Sequence, residues 1–153
     1  MKKISLALFS IFLLCSFSAK GPTFSLVDSQ VEIGAIYTLQ ANFDAYSQDL
    51  NTKLETELDD VAKFLSNNSK LKVEIGVHSV KSGTEIMTAE RANTIMNYLS
   101  KKGARRNKIT AVGYADKSPI ITQRELFKLQ TFEEKMNAKD KNERVEIKIL
   151  ENE

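Results

Sequence analysis

Strand and helix patterns that alternate along most of this chain predict an α+β fold with helices packed on one sheet. Leu71, Val73, Ile75 and Val77 alternate with other residues, as do Val145, Ile147 and Ile149, which is the period-two signature of half-buried strands. Leu54, Leu58, Val61 and Leu65 recur at helical spacing, and Ala92, Ile95, Met96 and Leu99 do the same downstream. At 153 residues, 42% hydrophobic and 27% charged, the chain has the size and composition of one ordinary globular domain. No internal repeat or low-complexity segment interrupts it.

In order, residues 1–18 read as a secretory signal peptide. Lys2 and Lys3 form its basic start, the run from Ile4 to Cys15 is apolar apart from Ser5 and Ser10, and Ser16-Phe17-Ser18 puts small residues at −3 and −1 of a cut before Ala19. The run is too short and wrongly flanked for a membrane span. Its removal takes two lysines and no acid, so the +2 net charge of the whole chain becomes zero. A neutral mature chain gives no electrostatic case for a nucleic-acid or polybasic membrane role. Cys15 follows Phe12-Leu13-Leu14, and a Leu at −1 fits a lipidated cysteine poorly. Membrane association is therefore expected to be indirect, with a lipid anchor at Cys15 the minor alternative. With Cys15 in the leader, the mature chain has no thiol chemistry.

Residues 19–35 are a lead-in to a domain over 36–150. Within 31–43 the apolar alternation and the Gly34 break predict a first strand with its approach, and 44–50 a turn. A helix is predicted over 52–65, stopped by Asn67-Asn68-Ser69, then a strand over 71–77. A second helix is predicted over 88–102 with Thr88 as N-cap and Gly103 as its stop. A third strand follows over 108–114, ended by Pro119, then a third helix over 124–138 and a last strand over 144–150. Leu126, Phe127 and Phe132 on the third helix are expected to cover the sheet edge; the other reading makes them part of a partner surface.

Catalysis has little footing. His78 is the only histidine, no GxSxG elbow marks a nucleophile, and the glycines form neither GxGxxG nor a phosphate loop. One histidine and scattered carboxylates do not make a metal cluster. A histidine closing a strand is more often a hydrogen-bonded turn residue. Arg91 is more telling. Placed three residues after a Thr88 cap, its cation opposes the helix dipole and calls for an anion. The compensation comes from an internal carboxylate such as Glu85 or Glu90, from solvent, or from a ligand carboxylate held by the guanidinium beside the helix N-terminus.

Residues 76–99 (GVHSVKSGTEIMTAERANTIMNYL), with Gly113-Tyr114, Pro119-Ile120 and NERVEIKI over 142–149, resemble the OmpA-like peptidoglycan-binding domain. That family has GHTDxxG, LSxxRA, GYGExxPI and NRRVEIxI in this order. The resemblance spans roughly residues 36–150 and implies a βαβαβ(α)β two-layer sandwich with helices on one mixed sheet. It also implies a non-enzymatic, cofactor-free protein, secreted across the inner membrane to the periplasm and associated with the outer membrane of a Gram-negative envelope.

In the family this site binds the diaminopimelate side chain of the peptidoglycan stem peptide, an Asp taking its ammonium and an Arg its carboxylate. Carried over by position, His78 and Ser79 match His-Thr, Gly83 the following Gly, Thr88 the Ser and Arg91 the Arg. Asn142 and Arg144 match the first and third positions of Asn-Arg-Arg, with Glu143 at the middle one. The Asp position holds Val80, and the 83–87 segment is about four residues short. A charge-assisted bond of this kind is worth roughly 1.5–3 kcal/mol, so its loss would weaken binding about 10–100-fold. Glu85 stands as a candidate replacement carboxylate. Two readings follow: a cell-wall-tethering domain gripping the stem peptide through Arg91, or a scaffold that has lost diaminopimelate and docks envelope proteins.

Overall fold

The computed structural model describes residues 21–152 apart from 42, 44–46 and 81–83. The leader with Cys15, and Gly83, lie outside the described residues. The elements are β1 (Ile36–Gln40), α1 (Thr52–Asn67), β2 (Leu71–His78), α2 (Glu85–Lys101), β3 (Ile109–Ala115), α3 (Gln123–Leu126), α4 (Phe132–Asn142) and β4 (Arg144–Asn152). The sheet order is β1-β4-β2-β3. Only the β2–β3 pair is parallel, as a crossover through α2 requires. The α+β architecture is the one the sequence predicts. Among the described residues no helix is long and apolar enough to cross a membrane.

The core forms where the two periodicities meet. β2 turns Leu71, Val73, Ile75 and Val77 inward, and β4 adds Val145, Ile147 and Ile149. Against them pack Leu54, Leu58, Val61 and Leu65 of α1, and Ala92, Ile95, Met96 and Leu99 of α2. Asn51 caps α1 by accepting from Leu54 N at 2.9 Å. Gly103, at φ +106°, follows α2 in the left-handed conformation expected of a helix stop.

Three expectations change. The cap of α2 is Thr84, which accepts from Met87 N, so the helix starts at Glu85 and Thr88 is inside it. Glu85 at the first helical position suits the positive end of the helix dipole, which favours this earlier start. The third helix is two, α3 and α4, each opened by its own Thr–Glu capping box at Thr122 and Thr131. Leu126 is buried, but Phe127 and Phe132 are 83% and 79% exposed and cover no sheet edge. The first strand is also short: five residues pair with β4, and the approach before Gly34 stays outside the sheet apart from a single bridge at Thr23.

Candidate functional site

The parity of the strands sorts the predicted residues. Continuing the inward alternation of β2 beyond Val77 places Ser79 on the side facing α2. Extending that of β4 back from Val145 places Glu143 there too. His78 and Arg144 fall on the opposite face, where they are register partners. On α2, Thr88 and Arg91 continue the buried stripe of Ala92, Ile95 and Leu99 toward the helix start.

Ser79, Thr88, Arg91 and Glu143 therefore converge at the carboxyl end of β2, all buried. Thr88 Oγ1 donates to Thr84 O at 3.0 Å and accepts from Ala115 N at 3.3 Å. This ties α2 to the end of β3, while Ser79 N donates to Ala115 O. The Glu143 carboxylate spans the end of β2: Oε2 accepts from Ser79 Oγ at 2.8 Å and Oε1 from Val80 N at 2.7 Å. Arg91 is 0% exposed; its Nε donates to Ser47 O at 2.9 Å, and its guanidinium lies 4.6 Å from the Phe43 ring centroid. Burial pulls the Arg91 pKa below its ordinary value, and the nearby Glu143 charge pushes it back up.

Neither acid proposed from the sequence serves Arg91. Glu85 pairs with Lys117 on the surface, and Glu90 accepts from Gln48 Nε2. Among the described residues, the carboxylate whose charge acts on Arg91 is Glu143. Sequence reasoning registered it only as a substitution, although the period-two pattern of β4 extended back by one step carried the signal.

Asn142 and Arg144 act on a loop. Asn142 Oδ1 accepts from Ile120 N and Ile121 N at 2.7 and 2.9 Å, and its Nδ2 donates to Ile121 O. Arg144 Nη2 donates to Ser118 O at 3.0 Å. The two pin residues 118–121 to the start of β4. His78 stacks on Tyr114 with centroids 4.8 Å apart and planes 7° from parallel. A larger, polar cleft of about 850 Å³ lies between residues 28–32 and the α1–β2 turn, at the other end of β2, and none of the predicted site residues lines it.

Glu146 links the outer-face group. Burial pushes its carboxyl up, but the Arg144 Nε bond at 2.7 Å and the nearby His78 outweigh that and hold it at about 2. His78 Nε2 approaches Glu146 Oε2 at 3.4 Å without alignment for a hydrogen bond, so its effect is that of a neighbouring polar group. A carboxylate whose pKa is lowered in the folded state contributes stability above its unfolded pKa, and that stability is lost as pH falls through the folded one. The window runs from about 4.5 down to about 2. The contribution is on the order of 2–3 kcal/mol. Urea unfolding of wild type and Glu146→Gln at pH 7 and pH 3 checks it: the wild type loses stability on acidification, and the variant, already weaker at pH 7, loses less.

The comparisons with known proteins agree with this architecture. The OmpA family matches residues 42–131. A peptidoglycan-associated lipoprotein of Buchnera aphidicola is 30% identical over 82 residues, covering 51% of this chain and 47% of that protein. The chain thus spans about half the length of this curated relative. Among solved structures, the periplasmic domain of Helicobacter pylori MotB superposes with TM-score 0.63 at 20% identity, over 81% of this chain and 80% of that one. The cell wall anchor of the T6SS from Pseudomonas aeruginosa superposes with TM-score 0.58 at 20% identity, over 75% and 80%. At such identities the superpositions speak for the fold alone, while the family match covers more than half of the sequence: the chain belongs to the OmpA family.

Proposed function

We propose that this chain is a non-catalytic periplasmic domain, associated with the outer membrane, that tethers the envelope by binding the diaminopimelate of peptidoglycan stem peptides at the carboxyl end of β2. The supporting observation is that the buried Arg91 guanidinium of α2 feels the charge of the buried Glu143 carboxylate, which the α4–β4 junction brings to the end of β2. A zwitterionic side chain presents one carboxylate and one ammonium, and a guanidinium with a carboxylate is the matching set. Glu143 thereby offers the acid that Val80 lacks, a role the sequence had suggested for Glu85. The names of the lipoprotein relative and of the T6SS cell wall anchor point the same way.

A second reading is favoured by the burial of Arg91. With its guanidinium fully covered, its Nε on Ser47 O and its ring partner in Phe43, the cation has in-chain company where a ligand would have to enter. Under this reading the scaffold docks envelope proteins and no longer takes diaminopimelate.

Retention on purified diaminopimelate-type peptidoglycan separates the two. The wild type is expected to be retained, with Arg91→Ala reducing retention tenfold or more at unchanged fold. Wild-type retention no higher than that of an unrelated neutral protein would establish the second reading. Because Val80 N lies 2.7 Å from Glu143 Oε1, an Asp at position 80 would face a buried carboxylate. Val80→Asp is therefore expected to strengthen retention only in combination with Glu143→Gln.

A further inference from the structure

On the sheet face turned away from α1 and α2, the even-numbered residues of β2 and β4 line up Glu74, His78, Arg144, Glu146 and Lys148, joined by Tyr114 of β3. They line a cleft of about 370 Å³ whose apolar walls come from Ile36 and Pro119. That volume lies at the small end of ligand sites. His78 and Arg144 are more than nine-tenths buried, and neither ring nitrogen of His78 nor Nη1 of Arg144 has a hydrogen-bond partner. Folded proteins rarely leave such groups unmade, because a buried donor without an acceptor forfeits its hydration for nothing.

The bonds already made decide what is missing. Glu146 Oε1 accepts from Arg144 Nε, and Glu74 Oε1 accepts from the Tyr114 hydroxyl, both at 2.7 Å. Those two oxygens are engaged, and Glu146 Oε2, 3.4 Å from His78 Nε2, is not aligned to accept from it, so Arg144 Nη1 and the imidazole N–H are unspent. As register partners on adjacent strands, His78 and Arg144 stand side by side, so one acceptor group can meet both.

We infer that this cleft is a second binding site, separate from the Arg91 end of the domain, for a small ligand that places a carboxylate between Arg144 and His78 and its apolar body against Ile36 and Pro119. A carboxylate suits the guanidinium fork. The fixed charges facing His78 across the cleft balance: Arg144 and Lys148 of β4 against Glu74 of β2 and Glu146 of β4, with the Tyr114 phenol of β3 neutral. With those charges balanced, a single carboxylate finds its partners in Arg144 and the imidazole N–H, whereas a dianion such as phosphate brings a second charge without one.

His78 is the only histidine of the chain, so in tag-free protein its imidazole nitrogen signals report on the cleft without ambiguity. The probes are acetate and N-acetylalanine, with N-acetylalanine amide and inorganic phosphate as controls. The expected result is a saturable shift with the two carboxylates at about pH 8, where inorganic phosphate is chiefly the dianion. Calorimetry should show at least a tenfold loss in His78→Phe, which keeps the stack on Tyr114, and in Arg144→Lys, which keeps the charge and loses the fork. Arg91→Ala should bind as wild type. Tighter binding of N-acetylalanine than acetate identifies a peptide carboxyl end as the ligand, and equal binding a free small acid. A shift that does not saturate, an equal response to the amide or to phosphate, or undiminished binding in either folded cleft variant overturns the inference.

Discussion

Gly113→Ala is expected to cost about 3 kcal/mol or more in unfolding free energy, a large loss for a single added methyl. A Cβ at this position would press on the Ala89 amide nitrogen and lie 2.6 Å from both Glu85 O and Thr88 Oγ1. Two of those atoms are helix backbone, which cannot swing aside as a flexible side chain can. Relief requires α2 to lift from β3, which would break the Thr88 bond to Ala115 N and move Arg91 with it. Denaturant unfolding measures the stability loss. If the variant folds, its peptidoglycan retention should fall as well, because the glycine sets how closely the helix bearing Arg91 approaches the sheet.

Glu143→Ala is expected to destabilise the domain by about 3 kcal/mol. The substitution strips the acceptor from Ser79 Oγ and Val80 N and removes a negative charge that acts on the buried Arg91 cation. Removing one member of a buried charged pair is costly chiefly because the other member remains. Combining Glu143→Ala with Arg91→Met should therefore cost less than the two single variants together, with a coupling of about 1–2 kcal/mol. Urea denaturation of the four proteins gives that coupling directly. Strict additivity would mean that the two charges act independently. The same cycle run on peptidoglycan retention separates stability from binding, since both single variants should lose the wall while only Glu143→Ala also exposes the strand end.

Much of the site was readable in advance and was misread for an identifiable reason. Thr88 looks like a cap because a threonine stands before an apolar stripe, yet Thr84 starts the helix one turn earlier with Glu85 behind it. Once the helix is lengthened, Thr88 and Arg91 fall on its buried stripe, and the expected exposed terminal cation becomes a core residue. His78 and Arg144 were grouped with Arg91 because the motifs carry them together. Strand alternation puts them on the face of the sheet turned away from Arg91.

Phe127 and Phe132 show the reverse failure. Aromatic residues in a helix suggest burial, but the segment breaks between two capping boxes and both rings face outward. Local caps were visible in Thr122-x-x-Glu125 and Thr131-x-x-Glu134; the orientation of short helices against a sheet was not.

The sequence by itself determined the four strands, the two long helices, their order and the family, because period-two and period-3.6 patterns are local and each strand's parity follows from its own residues. What only the tertiary structure decided was the pairing of charges. The charge of Glu143 acts on Arg91 because β4 inserts between β1 and β2 and brings the α4–β4 junction to the end of β2, while Glu85 pairs with Lys117. Which carboxylate acts on a buried guanidinium depends on residues 52 positions apart arriving near one strand end, with Glu143 held there by the Ser79 hydroxyl and the Val80 amide.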